Sequence, residues 1–188
     1  MRPSPMNTAS HSVVVRESYG SSPPSFDAGL VARRLLDGIP SKYLVGLKTV
    51  VLTDTAALNH AERRKKTQSR GKKVQIRVCH GLYNHASKDA PAWIEIFIDN
   101  CARNWPLPLL KVAFFADFAL SEVLFHEIGH HVHVTQAPEF KEREDVAEDW
   151  RKRLSKVYFR KRYWYSLPIA YLLYPFSWLV KKVSRSNE

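Results

Sequence analysis

The longest helical segment in the sequence is the feature that most constrains the fold. Residues 109–134 follow Pro106 and Pro108 and end before Pro138, so proline bounds the segment on both sides. At about 100° per residue, one face of this helix carries an apolar stripe made of Leu120, Leu124, Ile128 and Val132. We therefore expect the segment to be a buried helix of a folded domain.

The composition supports a single folded domain. The chain has 188 residues, of which 45% are hydrophobic and 25% charged, as in globular proteins with a core. Its net charge of +11 favours an acidic partner such as nucleic acid, anionic lipid or an acidic protein surface. Part of the excess lies in two basic runs, residues 63–73 and 160–162, which can also be simple solvated faces.

Three short runs before the long helix have the pattern of β-strands. Residues 47–52 are rich in β-branched side chains, and residues 74–78 and 93–98 alternate apolar and polar side chains. We predict that the last two runs are antiparallel neighbours. The other expected elements are helices at 28–36 and 56–66 and a surface loop at 67–72.

A second long helix is predicted at residues 139–162. Its apolar side consists of Phe140, Ala147, Trp150, Leu154 and Tyr158. Together these elements predict an α+β fold, in which a small, mainly antiparallel sheet packs on the first long helix and the second helix lies behind it.

Two histidines in the first long helix have the spacing needed to bind one metal ion. His126 and His130 are four residues apart, so their side chains project from the same face about one turn apart. Glu127 lies beside them, where a carboxylate can take a proton from a metal-bound water. The apolar setting of the motif favours a metal site over a chance match or a histidine pair without metal.

A catalytic zinc ion usually has three protein ligands, so a third must come from another element. Glu144 falls on the apolar side of the second helix, where a carboxylate needs a partner. A zinc ion would supply that partner, although an arginine or the helix terminus could do so as well. Glu148 and His133 are the alternative third ligands.

The two helices together resemble the zincin metallopeptidases of the gluzincin type, including the small cytosolic ImmA/IrrE-type peptidases. The resemblance rests on residues 126–130 (HEIGH) and 144–148 (EDVAE). It implies a minimal zincin-like fold, with zinc ligands at His126, His130 and Glu144 and a general base at Glu127. It also implies that a strand like the one at 93–98 forms the edge of the substrate cleft.

The expected function is that of a zinc-dependent metallopeptidase of the metalloendopeptidase type, which hydrolyses a peptide or protein substrate with a Zn²⁺-activated water and Glu127 as general base. Tyr83, His85 or His131 could give electrophilic help. The alternative is a zinc-containing, non-catalytic module that contacts nucleic acid or membrane through its basic patches.

Gly129 lies within the predicted metal-binding helix, although glycine there costs about 1 kcal/mol relative to alanine. We expect a neighbouring backbone to approach closely at this position, unless the glycine is merely tolerated near the helix end.

Three regions are predicted along the chain. Residues 1–27, rich in proline and serine and without an apolar run long enough for a signal peptide, are expected to be a disordered arm. Residues 28–162 form the metallopeptidase domain, and residues 163–188 form an apolar aromatic segment with a basic tail. The two cysteines are too few for a disulfide framework, which indicates a cytoplasmic protein.

The C-terminal segment predicts contact with a membrane surface. Residues 163–180 carry no charge and lie between basic residues, but Pro168 and Pro175 would break a spanning helix. We therefore expect peripheral membrane association through residues 163–182, or else packing of the segment over the domain.

Overall fold

The computed structural model describes residues 13–69, 72–136 and 143–165. The chain divides into two compact units, residues 1–155 and 156–188, whereas the sequence placed the boundary after residue 162. The predictions for residues 1–12 and 166–188, and for the first residues of the second long helix, lie outside the described residues.

In the described ranges all the strands precede the last four helices, and two helices lie among the strands. The strands are β1 (Val14–Ser18), β2 (Leu47–Thr53), β3 (Lys66–Ser69), β4 (Lys72–Gln75), β5 (Gly81–Asn84) and β6 (Ala92–Phe97). The helices are α1 (Ala28–Asp37), α2 (His60–Arg64), α3 (Ile98–Ala102), α4 (Leu107–Leu110), α5 (Ala113–Gln136) and α6 (Glu144–Arg162). The general α+β class is therefore confirmed.

The main sheet has four strands in the order β1-β2-β6-β5. β1 pairs with β2 and β2 with β6 in parallel, and β5 pairs with β6 antiparallel. The prediction of a mainly antiparallel sheet is therefore wrong. The crossover through α1 returns the chain to the same end of the sheet, which makes β1 and β2 parallel.

The first strand lies inside the region that was predicted to be a disordered arm. Val14–Ser18 pairs along its whole length with Thr49–Thr53 of β2, so that prediction is wrong for these residues. The β-branched run at 13–15 favours a strand, and this local preference prevails over the proline and serine around it.

Residues 74–78 and 93–98 are not neighbours, contrary to the prediction. Val74 and Gln75 belong to β4, which forms a hairpin with β3 where a loop was expected. Ile76–Val78 forms a 3₁₀ turn, and the Asn100 amide donates hydrogen bonds to the carbonyls of Arg77 and Cys79. Because these carbonyls accept hydrogen bonds from a side chain, they do not pair with a neighbouring strand, and β4 does not continue beyond Gln75.

Helix α2 is shorter than the predicted helix at 56–66. Asn59 caps its first turn, where the Asn59 side chain accepts from the Glu62 amide and the Glu62 carboxylate accepts from the Asn59 amide. This capping box fixes the start of the helix at His60.

Helix α5 packs against α1, β5 and β6 and forms the centre of the core. Its predicted apolar stripe is confirmed, because Leu120, Leu124, Ile128 and Val132 are all buried. Ile94 and Ile96 of β6 are buried as well. None of the helices in the described ranges combines the length and apolar character that crossing a bilayer requires.

Candidate metal centre

Three side chains from α5 and α6 bring their ligand atoms together. His126 and His130, one turn apart on α5, have their Nε2 atoms 3.2 Å apart. Oε2 of Glu144, in the first turn of α6, lies 3.3 Å from Nε2 of His126 and 3.8 Å from Nε2 of His130. The three residues predicted as ligands therefore form one compact triangle.

The triangle has the dimensions and chemistry that a zinc ion requires. Ligands of a tetrahedral zinc lie about 3.3 Å apart, because each bond is about 2.0–2.1 Å long. Oε2 of Glu144 is buried and, among the described residues, receives no hydrogen bond. A buried carboxylate oxygen that faces two imidazoles without a hydrogen bond is suited to a shared cation.

The close approach of α5 and α6 aligns the two halves of the site. A Cβ atom at Gly129 would lie 2.6 Å from the carbonyl oxygen of Ala147 and 2.8 Å from its Cα, so the missing side chain allows the backbones to meet. This contact confirms the prediction for Gly129. His130 follows Gly129 directly and Glu144 lies three residues before Ala147, so ligands from both helices lie close to this contact.

Glu127 lies beside the triangle in the wall of a cleft. Its side chain is 7% exposed and packs against the backbone of β5, since a Cβ atom at Gly81 would lie 2.8 Å from Oε1 of Glu127. Gly81 therefore leaves space for the carboxylate between α5 and the sheet edge.

The alternative third ligands lie outside the triangle. Among the described residues, the group able to share one ion consists of His126, His130 and Glu144. His133 is buried on α5 and does not belong to it. Glu148 approaches the other side of His126, with Oε2 3.8 Å from Nδ1.

Arg151 holds Glu148 in place and was not anticipated from the sequence. Its guanidinium donates to both oxygens of Glu148, at 2.8 and 2.6 Å, and also pairs with Glu122 of α5. The hydrogen bonds from Arg151 hold the pKa of Glu148 below its ordinary value. The three-residue spacing of Glu148 and Arg151 on a helix is the signal that could have indicated this pair.

The cleft has a volume of about 910 Å³ and is partly open to solvent. Its walls come from β5, the β3–β4 hairpin, α5 and α6, with His80, His85 and Arg151 among the lining residues. Strand β6 lies between β2 and β5, so residues 93–98 cannot form the cleft edge as predicted. The strand at the cleft edge is β5. Its four residues do not show an alternation of apolar and polar side chains in the sequence.

His131 is a structural residue, although it was considered as an electrophile. It is fully buried, with Nε2 3.0 Å from the carbonyl of Val45 and Nδ1 3.1 Å from the Tyr83 hydroxyl. Burial lowers the pKa of His131, which favours the neutral ring. Because the carbonyl only accepts, Nε2 carries the proton, and the Tyr83 hydroxyl donates to Nδ1.

Both cysteines are buried free thiols in the described structure. Cys79 lines the cleft, and burial, assisted by the negative charge of Glu127, raises the pKa of its thiol to about 11. Burial also raises the pKa of Cys101. Neither thiol is suited to act as a nucleophile at neutral pH.

Comparison with protein-family models, with curated proteins and with solved structures finds no match for this chain. The resemblance to gluzincins therefore stays a prediction. The function must be inferred from the chain's own residues and their geometry.

Proposed function

We propose that the protein is a zinc-dependent metallopeptidase of the zincin type, with His126, His130 and Glu144 as metal ligands and Glu127 as general base. The observation that carries the proposal is the triangle of three ligand atoms, with a carboxylate beside it in an open cleft. Three protein ligands leave a coordination position for reactants, as in catalytic zinc sites and unlike closed structural ones.

A zinc ion bound at this site supplies Lewis acidity and makes water a nucleophile at neutral pH. Glu127 accepts the proton of the attacking water and delivers it to the leaving amine. The position of Glu127 between α5 and Gly81 supports this role, because it fixes the carboxylate at the cleft wall.

We propose that Glu148 and Arg151 orient the imidazole ring of His126. A carboxylate near Nδ1 of His126 favours the tautomer in which Nε2 faces the metal. Arg151 forms ion pairs with both Glu148 and Glu122. These pairs keep the Glu148 carboxylate on the face of α6 that carries Arg151.

The substrate is proposed to be a peptide in extended form. β5 is the terminal strand of its sheet, so its outer edge can pair with a substrate backbone along the cleft. His85 follows β5, is exposed and lines the cleft, which favours it over Tyr83 and His131 as the group that stabilises the developing negative charge. His85→Gln is expected to lower kcat with zinc still bound, and an unchanged kcat would exclude this role.

The test is peptide cleavage by the full chain and its Glu127→Gln variant, measured by mass spectrometry on a diverse peptide mixture. We expect cleavage that a chelator abolishes and zinc restores, and a loss of about 10²–10⁴-fold in Glu127→Gln with zinc still bound. The exposed Asp149→Asn on α6 is the matched control and should cleave normally.

Undiminished cleavage by Glu127→Gln would contradict the mechanism. Absence of cleavage, together with salt-dependent nucleic-acid binding that survives chelation, would instead support the non-catalytic binding module.

A further inference from the structure

An aromatic ridge that shares no residue with the lining of the metal cleft lies on the surface of the 1–155 unit. It spans α4 and the start of α5 and consists of Trp105, Leu107, Val112, Phe114, Phe115 and Phe118. Leu107 is 58% exposed, Val112 50% and Phe118 38%. Adjacent exposed apolar side chains of this size mark a surface that contacts another phase or molecule.

The ridge is held in shape by its own rings. The Trp105 ring lies 5.8 Å from that of Phe118 and 6.2 Å from that of Phe115, and the Phe114 and Phe115 rings are 5.4 Å apart. Pro106 directly precedes α4 and Pro108 lies in its first turn, so both restrict the backbone there. The ridge therefore keeps its apolar side chains exposed in a preformed arrangement.

The exposed charges within residues 102–118 are all positive. Arg103 lies just before Trp105 and Lys111 just before Val112, and both are exposed. The only acidic residue between positions 102 and 118 is Asp117, which is buried in an ion pair with Arg34. The exposed charge of this segment is therefore entirely positive, within a chain of net charge +11.

We propose that the aromatic ridge docks on the surface of a bilayer that contains anionic lipid. Tryptophan and phenylalanine suit the headgroup region, and Arg103 and Lys111 would meet the phosphates there. A second copy of the chain is a poorer occupant, because it would bring another net charge of +11 toward the same cations. This proposal does not rest on the proposed chemistry of the metal centre.

The test compares sedimentation of the full chain with vesicles of phosphatidylcholine alone and of phosphatidylcholine with phosphatidylserine. Wild type is expected to bind the phosphatidylserine vesicles, and Leu107→Glu with Val112→Glu to weaken that binding by about tenfold or more. The matched control is Leu30→Glu, which adds an acid at a 50% exposed leucine on α1 and should bind like wild type.

A second variant, Arg103→Gln with Lys111→Gln, leaves the apolar ridge intact and should reduce the preference for phosphatidylserine. It keeps the test decisive if the glutamate variant fails to fold. Wild type that does not bind vesicles, or ridge variants that bind as wild type does, would overturn the proposal. Equal loss in the Leu30→Glu control, or a ridge-dependent dimer without vesicle binding, would overturn it too.

Discussion

Gly129 of α5 lies directly against Ala147 of α6, so close that a Cβ atom on Gly129 would stand 2.6 Å from the Ala147 carbonyl oxygen. His130 is the next residue after Gly129, and Glu144 precedes Ala147 by three residues, which is about one helical turn. The distance between the two helices therefore sets the distance between the metal ligands that they carry.

Gly129→Ala is expected to destabilise the protein and to weaken metal binding. Overpacking of a tight contact costs about 1–3 kcal/mol, which exceeds the gain of about 1 kcal/mol in helix propensity. Urea unfolding and zinc titration measure the two effects. Because the added methyl group meets backbone atoms, Ala147→Gly in the same chain should not restore stability.

A Gly129→Ala variant with wild-type stability and zinc affinity would show that the helices separate easily. The ligand geometry would then not depend on this contact.

Tyr83→Phe is expected to lower stability and to leave turnover nearly unchanged. The hydroxyl donates to buried His131, and its loss leaves Nδ1 without that donor, at a cost of about 1–3 kcal/mol. Urea unfolding and kcat on a cleaved peptide are the measurements, with Tyr43→Phe as a control for loss of a tyrosine hydroxyl. Wild-type stability with a large fall in kcat would assign the hydroxyl to the substrate instead.

Asp54 joins the ends of β1 and β2 and should contribute stability that depends on pH. Burial alone would raise the pKa of Asp54, but hydrogen bonds from Ser21, Gly20 and Ala57 outweigh it and hold the pKa below its ordinary value. The unfolded chain then binds the proton more readily, so this stability is present above about pH 4 and is lost as the pH falls through the folded pKa.

Asp54→Asn is therefore expected to cost about 1–3 kcal/mol at pH 7, and its difference from wild type should narrow below about pH 4. Urea unfolding of both proteins across this range measures the difference. If the difference in unfolding free energy between the two proteins stays constant as the pH falls, the charge of the Asp54 carboxylate is not the source of the stability.

The helical part of the site could be predicted because it depends on local rules. Residues four apart on a helix share a face, and the apolar stripe of α5 fixes which face is buried, so His126 and His130 follow directly. Glu144 could be chosen over most acids of α6 by the same reasoning. The distance of Glu144 from the histidines could not be predicted, because it depends on the contact of Gly129 with Ala147.

The sheet was predicted less well because strand pairing is a long-range property. β1 and β5 have only five and four residues and do not alternate apolar and polar side chains, and yet one completes the sheet and the other forms the cleft edge. Residues 76–78 alternate like a strand but turn, because Asn100, more than twenty positions away, binds the neighbouring carbonyls. The pattern of one segment therefore does not predict partners that are distant in the sequence.

The zinc content of purified wild type, Glu144→Ala and Asp149→Ala, measured by elemental analysis, tests the central claim most directly. We predict about one zinc per chain in wild type and in the exposed Asp149→Ala control, and a large loss of zinc in Glu144→Ala. Wild type purified without zinc and unable to bind it, or Glu144→Ala with wild-type zinc content, would contradict a metal centre built from His126, His130 and Glu144.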